Sequence, residues 1–142
     1  MIKALLDTNI VLDALAAREP FCVEAERIFM TAAEERFYGF VTANSITDIY
    51  YLVRKNISEA VARETLRNLL QIFAVVDISG KDCESALEST IEDYKDALVV
   101  ACASKINADY IITRDEEFLQ AQSPVPVVAP ARFLKIIPAN TR

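Results

Sequence analysis

Short apolar runs of β character alternate with stretches of helical periodicity along this chain, and that alternation constrains the fold more than any other feature. Residues 2–6, 38–41, 74–77 and 110–113 read as strands. Between them, residues 9–15, 21–35 (with Pro20 at the start), 46–54, 79–91 and 93–106 read as helices. Ser58 opens a further long amphipathic helix whose apolar face is Val61, Leu66, Leu69, Leu70 and Phe73. Thr42, Asn44 and Ser45 are helix-capping residue types ahead of Ile46. Residues 125–128 suit an edge strand broken by Pro126, followed by a terminal turn at 130–134. Strands that alternate with helices call for an α/β fold, with a parallel sheet of four to five short strands covered by helices on both faces. At 142 residues and 53% hydrophobic content, one domain spanning residues 1–142 suffices.

Four aspartates, Asp7, Asp48, Asp96 and Asp115, stand where apolar elements give way to polar residues, although long stretches separate them. Asp7 closes Ile-Lys-Ala-Leu-Leu, and Asp115 follows Tyr-Ile-Ile-Thr-Arg, so both fall at carboxyl ends of strands. In an open α/β sheet those ends line the crevice in which ligands bind, so acids from opposite ends of the chain can meet there. Each acid alone has a plainer reading. Asp7, Thr8 and Asn9 suit a helix cap, Asp48 a polar helix face, Asp93 and Asp96 a helix N-terminus, and Asp115 a turn. The joint arrangement is what points to an assembled metal site.

Composition narrows the chemistry. Histidine is absent, which removes Ser-His and Cys-His nucleophilic pairs, imidazole acid–base chemistry and histidine-containing zinc sites. The three cysteines, Cys22, Cys83 and Cys102, are odd in number and lack metal-type spacing, so buried reduced thiols are expected. The first residues reach a charge too early for a signal peptide and no apolar run approaches a membrane span, which sets the expectation of a cytoplasmic protein. A formal charge of −6 argues at first against a nucleic-acid partner. Divalent cations held by the acids would cancel much of it and supply the positive potential that phosphates seek.

Four segments together resemble the PIN-domain nucleases, and within them the VapC-type toxins: Leu-Leu-Asp7-Thr8-Asn9-Ile-Val-Leu-Asp, Thr42-Ala-Asn-Ser-Ile-Thr-Asp48-Ile, Asp93-Tyr-Lys-Asp96-Ala-Leu-Val-Val-Ala-Cys-Ala and Ala108-Asp-Tyr-Ile-Ile-Thr113-Arg114-Asp115-Glu-Glu-Phe118. A terminal Pro130-Ala-Arg-Phe-Leu is also similar, so the likeness runs end to end. The resemblance implies a three-layer α/β/α fold and an acidic quartet at Asp7, Asp48, Asp96 and Asp115, with metal held by Asp7, Asp96 and Asp115. It implies support from Thr8, Asn9 and Thr113, and a second acid, Asp93, near the third position. Relatives commonly carry glutamate where this chain has Asp48, one methylene shorter, which favours a water-bridged contact there. The implied activity is hydrolysis of RNA with Mg²⁺ or Mn²⁺, and the implied partners are an antitoxin protein and a second copy of the chain. The hard oxygen ligands themselves select those ions over zinc. Lys95 and Arg114 adjoin the acids and are candidates to hold flanking phosphates. A phosphatase of the haloacid-dehalogenase type needs a second aspartate where Asn9 stands, and a receiver domain needs a phosphoacceptor aspartate after a later strand with a late lysine, which Asp115 followed by two glutamates does not supply. The surviving alternative is a PIN-like module that binds RNA or protein without cutting.

Overall fold

The computed structural model describes residues 1–138. Five strands, β1 (Lys3–Leu6), β2 (Tyr38–Thr42), β3 (Ala74–Val76), β4 (Tyr110–Ile112) and β5 (Val127–Val128), form one sheet in the order β3-β2-β1-β4-β5. Every pairing is parallel. Between and after the strands run α1 (Thr8–Leu15), α2 (Cys22–Ala33), α3 (Ala43–Asn56), α4 (Glu59–Ile72), α5 (Gly80–Leu87), α6 (Tyr94–Lys105), α7 (Glu116–Leu119) and α8 (Pro130–Ile136). None is long and apolar enough to cross a membrane.

The pleat explains the layering. Successive side chains of a strand point to opposite faces, so Ala4 and Leu6 of β1, with Ile112 and Val128, pack into one core with Ile10, Ala25, Ile28, Ile49, Leu69 and Phe133. Leu5 and Ile111 face the other way, into a second core with Val99, Cys102, Ala103 and Phe118. Helices α1, α2, α3, α4 and α8 therefore cover one face, and α6 and α7 the other. A strand buried on both faces must be apolar throughout, which is why Ala-Leu-Leu of β1 carries no polar residue.

The topology also locates the site. From β1 the chain moves outward through β2 to β3, then returns to the other side of β1 for β4 and β5. The connections thus part at the β1/β4 boundary, and the carboxyl ends of those two strands frame a crevice. Asp7 leaves β1 there, and Thr113 to Asp115 leave β4 beside it. The Asp7 amide donates to the Ile112 carbonyl at 2.9 Å, which carries the sheet register into the site.

Several boundaries differ from the sequence expectation. α2 stops at Ala33 rather than 35 because Glu35 takes a left-handed φ of 58°. α3 starts at Ala43, three residues early, with Thr42 as its N-terminal flanking residue; the hydroxyls of Thr42 and Ser45 bond side chains instead of capping amides. α5 ends at Leu87 instead of 91, where the Ser89 hydroxyl accepts from the Ile91 amide at 3.1 Å and competes with the helix. β5 is confined to Val127–Val128, beyond Pro126. The expected terminal turn is the helix α8, with Pro130 in its first turn. Cys22 and Cys102 are buried free thiols, whereas Cys83 is only half-buried.

Candidate functional site

Asp7 caps α1, and its carboxylate is held on three sides. Oδ1 accepts from the Thr8 amide at 2.9 Å; Oδ2 accepts from the Thr113 hydroxyl at 2.8 Å and the Asn9 side-chain amide at 3.2 Å. The same Asn9 amide reaches the Thr113 hydroxyl at 3.3 Å, while Asn9 Oδ1 is buried with no hydrogen-bond partner. Burial pushes the Asp7 carboxyl above its ordinary range; the Thr113 and Thr8 bonds and the Lys95 charge oppose that rise, and Asp115 adds to it.

Asp96 enters from the first turn of α6 and is 8% exposed. Its carboxyl is pushed up to about 7, first by burial and then by the charges of Asp93, Asp7, Asp115 and Glu117. Asp115 caps the short α7, accepting from the Glu117 amide at 3.0 Å, and remains exposed. Asp7, Asp96 and Asp115 are thus near enough for the charges of Asp7 and Asp115 to raise Asp96, and that of Asp115 to raise Asp7. Asp93 has a separate job: it caps α6 by accepting from the Asp96 amide at 3.0 Å. Beside Asp96 opens a cleft of about 360 Å³, lined among others by Asp93, Glu117, Gln120 and Gln122.

Asp48 lies outside this mutual repulsion. It is exposed, and its Oδ2 pairs with Lys95 Nζ at 2.9 Å. Arg114, expected near a phosphate, is already engaged: Nε and Nη2 meet the buried Asp13 carboxylate at 2.5 and 3.1 Å, and that bond raises the guanidinium pKa. A buried carboxylate requires such a partner, so Arg114, a candidate to hold a flanking phosphate, is also the counter-charge of Asp13.

Sequence reasoning missed two contributors. Ser45, buried on α3, meets the Thr8 hydroxyl at 2.5 Å and Thr42 at 3.1 Å, linking α1 to α3. It stands three residues before Asp48, on the same side of the helix, which is the signal that could have found it. Glu117, which carries no signal of its own in the sequence, helps raise Asp96 and lines the cleft.

Among the described residues, no three acidic or cysteine side chains stand together as a group that could by itself hold a metal ion. The donors nevertheless suit a hard cation that keeps part of its water shell: carboxylates and an unpartnered buried amide oxygen, with repulsion that a positive ion would relieve.

Three solved structures share this fold at low identity. A chain of the VapBC2 complex from Rickettsia felis, bound to a DNA fragment from its promoter, is 18% identical over 90% of this chain and 98% of its own, with a TM-score of 0.67. VapC20 from Mycobacterium tuberculosis, described as a toxin that cleaves the sarcin-ricin loop, is 16% identical over 84% of this chain and 95% of its own, also at 0.67. A chain of a toxin–antitoxin complex from Klebsiella pneumoniae is 23% identical over 89% of this chain and 97% of its own, at 0.65. No curated protein matches the chain in sequence. The family model described as PIN domain matches residues 3–117, the span that carries β1, β4 and all four aspartates; the chain belongs to the PIN domain family.

Proposed function

We propose that this chain is a metal-dependent ribonuclease, a hydrolase of RNA phosphodiester bonds acting through Asp7, Asp96 and Asp115 with Asp48 alongside, and that it is the toxin of a toxin–antitoxin pair. Asp96 carries this reading. A nearly buried carboxyl raised to about 7, first by burial and then by Asp93 of its own helix cap and acids from two other segments, is expensive for a fold to keep, and perturbed titration in a crevice is characteristic of functional sites. The fold likeness to VapBC chains supports the toxin role, and the sarcin-ricin loop cleaved by VapC20 supports a looped RNA as substrate.

Each residue then has a defined task. Asp7, Asp96 and Asp115 would hold Mg²⁺ or Mn²⁺; when bound, such an ion supplies an acidified water and a counter-charge for the attacked phosphate. Thr113 and the Thr8 amide oppose the rise that burial imposes on Asp7, and with Asn9 they fix its carboxylate in place. Lys95 would turn from Asp48 to meet a flanking phosphate, because that pair is half exposed and such pairs contribute only about 0–1 kcal/mol. Three free thiols agree with work in the reducing cytoplasm. Exposed apolar side chains on α2 (Val23, Met30) and α4 (Val61, Leu70) offer surface for a second copy or an antitoxin.

A pool of end-labelled RNAs incubated with Mg²⁺, Mn²⁺ or EDTA tests the reading. Cleavage with either ion, abolished by EDTA, is expected. The pairing of Asp48 with Lys95 favours one other reading, an RNA- or protein-binding module that does not cut, and RNA binding without scission in any ion would establish it.

A further inference from the structure

Asp13 lies six residues after Asp7 on α1 and has no solvent exposure, so its charge depends on a partner. Arg114 provides a two-pronged one at 2.5 and 3.1 Å, with Arg18 more distant at 3.9 Å. The Phe21 ring packs on the guanidinium from outside, 3.9 Å from Cζ to the ring centroid. Arg114 is therefore fixed by α1 and by the residue that precedes α2. Its sequence neighbours are Thr113, which donates to Asp7, and Asp115, the exposed acid that caps α7.

We infer that Asp13 is a positioning residue: by clamping Arg114 between its carboxylate and the Phe21 ring, it fixes the β4–α7 turn that presents Asp115 to Asp7 and Asp96. Thr113 ties the turn on one side of Arg114, and Phe118, buried in the second core, ties it on the other. The Asp13 clamp is the link between them, and it runs to the same short helix that Asp7 caps. Movement of Arg114 would thus shift the Asp115 carboxylate relative to Asp7. The catalytic consequence rests on the nuclease reading; the clamp itself does not.

The test uses the double variant Asp13→Leu/Arg114→Met, because apolar replacement of both partners of a buried ion pair commonly preserves stability. Amide exchange at Asp115 and Glu117 should accelerate in the folded variant, and kcat for RNA cleavage should fall by on the order of tenfold to hundredfold with KM little changed. Arg114→Lys, which keeps a charge against Asp13 but not the fork, should recover part of the loss. A folded double variant with the parent's exchange rates and kcat would overturn the inference, reducing the clamp to packing. A change in KM alone would also overturn it, by making Arg114 a phosphate contact. Should the double variant not fold, Arg114→Lys decides: parental exchange and kcat sink the inference, and faster exchange with lower kcat upholds it. If the parent cuts no RNA, the nuclease reading fails, while the exchange rates still judge the clamp.

Discussion

Asp96 bears most of the electrostatic strain in the crevice, so it separates function from stability. Asp96→Asn keeps the shape but removes a charged oxygen; RNA cleavage should fall by about a hundredfold or more, while the metal-free protein becomes more stable. Thermal melts beside a cleavage assay check both directions. The pH dependence follows from the same shift. The folded carboxyl titrates near 7 and the unfolded one near its ordinary value of 3.8. The folded state therefore holds a proton that the unfolded state releases, and this contribution to stability is full below the unfolded value and lost as pH rises through about 7. Melting temperature in EDTA should decline across that window, and the decline should be smaller in Asp96→Asn. Asp48 makes a contrasting prediction: Asp48→Glu should keep or raise activity by lengthening the arm, whereas Asp48→Ala should cut it sharply. Parent-like cleavage by both variants would leave Asp48 a solvated helix residue. Asp7 and Asp115 stood out in the sequence because each follows an apolar strand run, and Asp96 because an apolar helical run follows it directly. Ser45 and the engagement of Arg114 were not, since both depend on which helices become neighbours.

Among the elements, the strands and the order of helices were readable because their periodicities differ, two residues for one and 3.6 for the other. Helix ends were less so, and glycine scarcity is the reason. With only two glycines in the chain, Ala17, Glu35 and Asn107 take the left-handed φ that glycine usually marks at a helix end. Gly39 serves a different need. A Cβ built there lies 2.5 Å from the Phe73 ring, which is itself buried against Phe29. Gly39→Ala should therefore destabilise the packing of β2 against Phe73, the residue that ends α4, by about 1–3 kcal/mol. Chemical denaturation measures it, and an unchanged midpoint would show that the ring can yield.

For the whole molecule, two expectations go beyond one chain. The apolar side chains left exposed on α2 and α4 should pair two copies about a two-fold axis, so sedimentation at micromolar concentration should show a dimer; a 15.8 kDa monomer alone would contradict that. The crossover of the sheet at β1/β4 is what lets acids from the first and last thirds of the chain share one crevice, which the alternation of strands and helices foretold in kind but not in detail. Whether that crevice is a divalent-cation centre is most directly tested by titrating the metal-free protein with Mn²⁺ in a calorimeter at neutral pH. Binding by the parent, weakened by about tenfold or more in both Asp7→Asn and Asp96→Asn, is the predicted result. No heat of binding in the parent, or equal affinity in all three proteins, would contradict it.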